Sequence, residues 1–175
     1  MQNIPKRYAD VKYEDVRQDI KASFESMKDT RRGIYIHGEV GTGKTHIMYA
    51  LLKETEIKHK VVTLAKNTVE LLRSIQSDFS RPWDQKMKEE DHVRDFKGLL
   101  FLDDVGVEKS TEWTLETFYL ILNARYNDVL PTIFTSNLSP ADLSEKWGDR
   151  IASRIIGSCD VFRLEGEDRR LIIIK

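Results

Sequence analysis

Eight consecutive residues combine glycines, a lysine and a threonine at a spacing that suits phosphate binding. Gly38-Glu39-Val40-Gly41-Thr42-Gly43-Lys44-Thr45 matches the pattern G-x-x-x-x-G-K-[ST]. Glycines let backbone amides turn toward phosphate oxygens, a lysine reaches the terminal phosphates, and a threonine hydroxyl is a ligand for Mg²⁺. The pattern predicts a Mg·ATP site with Lys44 and Thr45 as its working side chains. A glycine turn that binds no ligand is the alternative interpretation.

Two adjacent carboxylates follow an apolar run later in the chain. Leu99-Leu100-Phe101-Leu102 leads directly into Asp103 and Asp104. After a phosphate-binding loop, this pattern predicts that Asp103 holds the Mg²⁺ and that Asp104 orients and deprotonates an attacking water. Taken alone, paired acids after a strand are more often a solvated turn or a helix cap.

A neutral polar residue ends another apolar run, in Thr135-Ser136-Asn137. The Asn137 amide can donate to a terminal phosphate or hold the attacking water, which predicts a sensor of the γ-phosphate. The alternative is a turn in which Asn137 and Ser139-Pro140 cap the next helix. The two interpretations are compatible, because Ser139-Pro140 can cap while Asn137 contacts phosphate.

A pair of arginines is the last candidate functional site in the sequence. On a helix, Arg150 and Arg154 share one face, while Ile151 and Ile155 share another. The arginines can therefore project outward together. They predict either a solvated surface or, in an assembly of identical subunits, an arginine that reaches a neighbour's γ-phosphate.

These residues need structural elements that bring them together, and the chain alternates short apolar runs with helical patterns. The apolar runs predict strands at 33–37, 61–64, 99–102, 132–135 and 160–164. The helical patterns cover 13–28, 44–56, 67–79, 113–128 and 140–156. The charged stretch 80–97 predicts an exposed connection, with or without a second short helix. Near-continuous apolar strands suit a parallel sheet that is covered on both faces. The sequence therefore predicts an α/β fold around a five-stranded parallel sheet.

Bulk properties restrict the class of protein. The 175 residues fit one domain, and a formal charge of −1 means that any nucleic-acid contact must come from a local patch. The single Cys159 cannot form an internal disulfide, which predicts a reducing, cytoplasmic location. Neither a signal peptide nor an apolar run long enough to cross a membrane is present, so no membrane contact is expected.

Taken in order, the four motifs resemble those of the AAA+ family of P-loop ATPases. The residues within and around them are similar to those of the DnaC/DnaI/IstB branch. The segments that carry the resemblance are 37–46, 102–109, 134–137 and 163–170, within an overall match over roughly residues 5–170. The resemblance implies a three-layer αβα P-loop NTPase fold of the RecA-like type. A separate helical lid is not expected, because no sequence for one follows Arg170. It divides the chain into an N-terminal extension, 1–32, with one helix beside the nucleotide, and an ATPase core, 33–175.

Residue roles follow from the same resemblance. Arg154 corresponds to the arginine finger, Asn137 to the phosphate sensor, and Asp104 to a catalytic acid that is usually Glu in other AAA+ proteins. ATP-binding residues would extend to His46 and, beside the adenine, to Arg7 and Tyr8. The region before Asp103 corresponds to helices that contact single-stranded DNA, where cations and a stacking aromatic are the candidates: Lys66, Asn67, Arg73, Arg81, Trp83, Lys86 and Lys88. A mixed-charge surface is the alternative for each of these.

The implied function is that of an ATP-dependent replication protein, a helicase loader that binds Mg·ATP and single-stranded DNA. It would hydrolyse ATP slowly alone and faster as a homo-oligomer or on DNA. A DnaB-like replicative helicase is the implied partner; that contact is left open, because residues 1–32 are too few for the separate N-terminal domain of such loaders. An IstB-like transposition helper, a P-loop small-molecule kinase and a nucleotide-binding module without hydrolysis are the alternatives.

Overall fold

Five parallel strands form the centre of the protein, whose computed structural model describes residues 4–59, 61–78 and 89–168. The strands lie side by side in the order β2-β3-β4-β1-β5, and every neighbouring pair is parallel. Their bounds are β1 Gly33–Gly38, β2 Thr63–Asn67, β3 Leu99–Val105, β4 Thr132–Ser136 and β5 Cys159–Leu164. The predicted five-stranded parallel sheet is confirmed.

Helices cover both faces of this sheet. In chain order they are α1 Gln18–Thr30, α2 Lys44–Glu54, α3 Thr68–Asp78, α4 Glu89–Asp95, α5 Glu112–Asn127, α6 Pro140–Trp147 and α7 Asp149–Ser158. Short 3-10 turns at Lys6–Tyr8 and Tyr13–Asp15 precede them, and a π-helical turn at Thr55–His59 follows α2. No helix in the described part of the chain is long and apolar enough to span a membrane.

Alternate side chains of each strand enter two different cores, as the period of a strand requires. Tyr35 and Phe134 pack on one face with helices α3 to α7. Ile34, Ile36 and Ile133 pack on the opposite face with α1, α2 and the N-terminal segment. The extension before β1 is therefore part of the second core, and the molecule has the predicted three layers. Within the described residues, no helical lid follows β5.

Two predicted helices differ from the observed ones. The pattern at 140–156 predicts one helix, but the chain forms α6 and α7, because Gly148 adopts φ 84° and ψ 152° between them. This conformation strongly favours glycine and cannot continue a helix. The predicted helix at 13–28 begins only at Gln18, since Val16 and Arg17 are extended.

The helix α5 is anchored at its C-terminal end by a buried arginine. The Arg125 side chain is only 2% exposed, and its guanidinium donates to the Thr132 hydroxyl and to four backbone carbonyls. Burial lowers its pKa to about 10. At the other end, the Thr111 hydroxyl caps the helix by accepting from the Thr114 amide at 3.2 Å. Both ends of α5 are thus fixed to the core.

Candidate nucleotide-binding site

A cavity of about 590 Å³ opens at the carboxyl end of the sheet, above β1 and β3. The carboxyl ends of parallel strands are where open α/β sheets place their ligands, and the volume suits a small ligand. Predicted ATP-site residues line it: Arg7, Tyr8, Val40, Gly41, Gly43, Lys44, Thr45, His46, Asp104 and Asn137. Residues from three of the motifs and from the N-terminal segment therefore meet in one place.

The loop between β1 and α2 has the conformation of a phosphate cradle. Gly41 and Gly43 have φ of 82° and 98°, which side-chain-bearing residues rarely adopt, and Gly43 immediately precedes the first residue of α2. The Lys44 ammonium donates to the carbonyls of Gly38 at 2.8 Å and Glu39 at 2.7 Å, and the Thr42 hydroxyl donates to the Glu39 carbonyl at 2.9 Å. The loop is held in shape by its own side chains.

Two hydroxyl groups, one from α2 and one from β4, converge on the carboxylate of Asp103 in β3, which is buried. Its carboxylate accepts hydrogen bonds from the Thr45 hydroxyl, at 3.0 Å, and from the Thr135 hydroxyl. Burial raises the pKa of Asp103, and the hydrogen bond from Thr135 opposes that rise. A hydroxyl and a carboxylate held together are hard oxygen donors, which is the ligand set that suits Mg²⁺. Thr45 and Asp103 fit the predicted metal role.

Asp104 lies next in the chain but in a different conformation. Its φ is 58°, in the left-handed region, and the parallel pairing of β3 with β4 is interrupted between Leu102 and Val105. Its backbone amide donates to the Thr135 hydroxyl at 3.0 Å. This turn separates two adjacent carboxylates: Asp103 points into the sheet edge, and Asp104 lines the cavity.

Both interpretations of the segment after β4 have a structural basis. Ser139 forms a capping box with Asp142 at the start of α6, in which the serine hydroxyl accepts from the Asp142 amide and the carboxylate accepts from the Ser139 amide. The predicted cap is confirmed. Asn137 does not take part in the box; it is exposed and lines the cavity opposite the phosphate loop. Its role as a phosphate sensor stays a prediction.

Aromatic residues border the other end of the cavity. The Tyr8 ring stacks on Tyr49 of α2, with centroids 4.7 Å apart and an interplanar angle of 19°. Arg7 and Tyr8 lie on the cavity wall from the 3-10 turn of the N-terminal segment. Their predicted position beside a base is consistent with this placement. Tyr49 gave no signal in the sequence, because a tyrosine in a helical pattern is usually a core residue.

Three predicted ATP-site residues line a second cavity instead, of about 470 Å³, on the other side of the phosphate loop. They are Gly38, Glu39 and Thr42, and Asn137 lines both cavities. Gly38 and Glu39 contribute to the first site through their carbonyls, which hold the Lys44 ammonium. Their role is therefore to shape the loop.

The two predicted arginines lie on a different surface. Arg150 and Arg154 project from α7 toward α5, and neither lines the nucleotide cavity of its own chain. Ile151 and Ile155 of the same helix are buried in the core, as the spacing predicts. An action of Arg154 on nucleotide would therefore require a second copy of the chain.

The predicted DNA contacts are only partly within the described residues. Lys66 forms an ion pair with Glu89, and the Asn67 carboxamide oxygen accepts from the Val69 amide at the start of α3. Arg73 is exposed on α3. Arg81, Trp83, Lys86 and Lys88 lie outside the described residues. DNA binding by this region stays a prediction.

Two residues of the site were missed by sequence reasoning. Val107 lines the cavity just after the acid pair, and Thr135 links Asp103 to the Asp104 amide. The motif Thr135-Ser136-Asn137 drew attention to its asparagine alone. The signal for Thr135 is a hydroxyl on the strand adjacent to β3, but using it requires knowledge that β4 pairs with β3.

The fold and this site together define a P-loop nucleoside triphosphatase domain of the AAA+ type. The strand order, the loop between β1 and α2, and the acidic end of β3 are its diagnostic features. More narrowly, the chain belongs to the family of bacterial DnaA ATPase domains, whose family model matches residues 18–159. The resemblance inferred from the four motifs is confirmed.

Individual relatives agree with this assignment. The replicative helicase loader DnaI of Bacillus subtilis (strain 168) is 30% identical over 174 residues, which cover 90% of this chain and 53% of the relative. A crystal structure of the DnaC helicase loader has a TM-score of 0.78 at 24% identity, covering 92% of this chain and all of the other. A replication initiator DnaA bound to AMPPCP and single-stranded DNA has a TM-score of 0.75 at 22% identity, covering 94% and 52%. The chain thus spans about half the length of its DnaI relative.

Proposed function

We propose that this chain is a replication ATPase of the helicase-loader type, which binds Mg·ATP, assembles with copies of itself on single-stranded DNA, and hydrolyses ATP between subunits. The observation that carries the proposal is the cluster of Thr45, Asp103 and Thr135 beside the phosphate loop. A hydroxyl and a carboxylate that could hold a metal thus lie beside a cavity that Lys44, Asp104 and Asn137 line, which supports the proposal.

Binding uses the phosphate loop and the N-terminus of α2. Backbone amides around Gly41 and Gly43 and the helix dipole favour the negative phosphates. The Lys44 ammonium, now on loop carbonyls, would exchange them for phosphate oxygens. Thr45 and Asp103 would hold Mg²⁺, which when bound offsets charge on the β- and γ-phosphates. Tyr8 would border the base.

Hydrolysis needs a base, an oriented water and a cation that stabilises the negative charge of the transition state. Asp104 faces the cavity and would accept the proton of the water as its oxygen attacks the γ-phosphorus and the bond to the bridging oxygen breaks. The Asn137 amide would hold the water or the γ-phosphate from the opposite wall. Arg154 of a neighbouring copy would stabilise the charge that develops as ADP leaves.

Two relatives and the surface charge of the chain support the proposed biological role. The DnaI relative is a replicative helicase loader, and a structurally similar DnaA carries single-stranded DNA. With a formal charge of −1, DNA binding would depend on local cations such as Arg73 on α3. A DnaB-like replicative helicase is the partner that this role requires, and the cytoplasm is the compartment.

Light scattering and fluorescence anisotropy test this proposal together. The purified chain is measured with ADP and with a slowly hydrolysed ATP analogue, each with labelled single-stranded or duplex DNA and with Mg²⁺. We expect larger assemblies and tighter single-strand binding with the ATP analogue than with ADP. Lys44→Ala should abolish both responses, since the P-loop lysine is needed to hold the triphosphate.

The outcomes separate the alternatives. An unchanged monomer mass in every condition, with no DNA binding, would overturn the loader proposal. A preference for duplex over single-stranded DNA would favour the IstB-like transposition helper. Nucleotide binding without turnover in any condition would favour a module that does not hydrolyse ATP.

A further inference from the structure

Two arginine side chains share one tyrosine ring on the face formed by α5 and α7. The guanidinium carbons of Arg150 and Arg154 lie 4.0 and 4.8 Å from the centroid of the Tyr119 ring. Both also donate to the Tyr119 hydroxyl, Arg150 through Nη2 at 2.6 Å and Arg154 through Nη2 at 3.2 Å. The ring and its hydroxyl therefore hold two cations side by side.

The pair lacks an anionic partner in the part of the chain that the structure describes. None of the ion pairs between described residues includes Arg150 or Arg154, whereas Arg32 is paired with Asp160 and Arg94 with Asp91 and Asp95. Two like charges held close together repel one another, and an anion bound between them would offset that repulsion. A phosphate group offers enough charge and enough acceptor oxygens for two guanidinium groups.

The hydrogen bonds of Arg154 also orient it. Its Nε donates to the Asn123 side-chain oxygen at 2.8 Å, its Nη1 to the Arg150 carbonyl at 2.8 Å, and its Nη2 to Tyr119. An arginine has five donors, so these three contacts leave one N–H on each terminal nitrogen. Two parallel N–H groups on the terminal nitrogens are the fork that binds phosphate oxygens in bidentate fashion.

The platform beneath the arginines is rigid. Tyr119 and Asn123 are one helical turn apart on α5, whose ends are fixed by Thr111 and Arg125. The α7 helix is fixed on its other face by the buried Ile151. The guanidinium groups are thus ordered before any ligand arrives, which reduces the entropy lost on binding.

We propose that Tyr119 and Asn123 are positioning residues, which hold Arg154, with Arg150 beside it, for the γ-phosphate of ATP bound to a second copy of this chain. This inference rests on the proposed function, and it names the surface that one copy presents to the next. Tyr119 and Asn123 act only through the arginines. Their loss should therefore impair the action of a subunit's Arg154 on its neighbour and spare the subunit's own binding of ATP.

Subunit complementation tests the two roles separately. Lys44→Ala removes nucleotide binding but keeps the arginines, so this variant, the donor, can only supply Arg154 to a neighbour. Arg154→Ala keeps the nucleotide site but lacks the arginine, so this variant, the acceptor, can only bind the ATP that a neighbour's arginine reaches. Mixing them with ATP and single-stranded DNA should restore ATPase activity. Adding Tyr119→Ala to the donor should reduce the restored rate roughly tenfold, the loss expected for one hydrogen bond and one ring contact.

Matched variants test whether the lower ATPase rate comes from the loss of the Tyr119 contacts to the arginines. Tyr119→Ala added to the acceptor should leave the restored rate unchanged, which also shows that the substitution does not unfold the protein. Tyr119→Phe in the donor keeps the ring but loses the hydroxyl, and should reduce the rate by roughly threefold. Tyr126→Ala in the donor is the control, because Tyr126 is an exposed tyrosine two turns further along α5.

Failure of the proposed function and failure of the positioning role would give different results. If Lys44→Ala and Arg154→Ala together hydrolyse no faster than the two alone, catalysis between subunits is wrong and the proposed function falls with it. If they complement but Tyr119→Ala donors restore the full rate, only the positioning role is overturned. Weaker single-strand binding by Tyr119→Ala with an intact donor role would assign the arginines to DNA phosphates instead, and would also overturn it.

Discussion

Two surfaces of this protein are proposed to meet phosphate and are built differently: the nucleotide edge, formed by the phosphate loop with Asp103 and Thr135, and the arginine face, formed by Arg150 and Arg154 on Tyr119. At the nucleotide edge, Lys44, Asp103 and Thr135 are all hydrogen-bonded within the chain, and carbonyls or hydroxyls hold each charge. On the arginine face, Arg150 and Arg154 are aligned on Tyr119, and no described carboxylate pairs with them. The first surface finds its hydrogen-bond partners within one copy of the chain, whereas we propose that the second binds a phosphate that another molecule brings.

This difference separates two kinds of chemistry. Binding of Mg·ATP should depend on the nucleotide edge alone, and hydrolysis on both surfaces. Substitutions can therefore be sorted by whether they change affinity, turnover or neither.

Arg154→Ala should reduce the turnover number of the assembled protein by roughly 10³-fold and leave nucleotide affinity nearly unchanged, because arginine fingers act on transition-state charge. Steady-state ATPase rates and calorimetric titration with the ATP analogue measure the two quantities. Arg94→Ala, which removes a guanidinium paired with Asp91 and Asp95, is the control. A parallel loss of affinity would mean that the two surfaces are not independent.

Asp104→Asn should slow turnover by about 10²-fold while Mg·ATP still binds, since an amide cannot accept the proton from water. Asparagine tolerates the left-handed backbone of this position, so the fold should be unaffected. Single-turnover hydrolysis with excess protein measures the chemical step. An unchanged rate would exclude Asp104 as the base.

Thr135→Val should weaken Mg²⁺ binding by roughly tenfold, because the hydroxyl orients the Asp103 carboxylate and such supporting contacts tune metal affinity. The measurement is the Mg²⁺ concentration that gives half-maximal ATP binding. Binding of nucleotide without Mg²⁺ serves as the internal control and should not change. Equal losses with and without Mg²⁺ would assign Thr135 to the loop instead.

Gly148→Ala should destabilise the fold by on the order of 1 kcal/mol, since φ 84° with ψ 152° is costly for alanine although the added methyl meets no atom within 4 Å. Urea unfolding measures the change. Gly157→Ala, inside α7, is the matched control and should be slightly stabilising because alanine favours helix. Equal effects of the two would show that the break between α6 and α7 carries no strain.

Local patterns were enough to predict most of the nucleotide edge. The glycine-lysine loop and the acid pair are continuous in sequence, and each requires only a strand before it. The same is true of the strands, although the second was predicted at 61–64 and is observed at Thr63–Asn67, with Val61 and Val62 exposed before it. The N-terminal helix was predicted too early because Val16 continues the helical spacing of apolar residues, yet it is buried from an extended conformation.

The remaining features depend on contacts between distant segments. Thr135 acts on Asp103 only because β4 pairs with β3, and Tyr119 meets Arg150 only because α7 packs on α5. A tyrosine at a helical spacing gives no sign of which side chain will lie on its ring. The break at Gly148 was missed because its polar and apolar spacing stays helical through 140–156, and only the backbone conformation of one glycine interrupts it.

The left-handed backbone at Asp104 restricts which acid this position accepts. Longer side chains pay more for that conformation than aspartate or asparagine, which are the residues that adopt it most readily after glycine. Glutamate, the usual acid at this point in other AAA+ proteins, would bring extra reach together with a conformational penalty. Replacing Asp104 with glutamate would therefore change the backbone conformation as well as the side-chain length. An Asp104→Glu protein would need a reshaped turn to regain its ATPase rate.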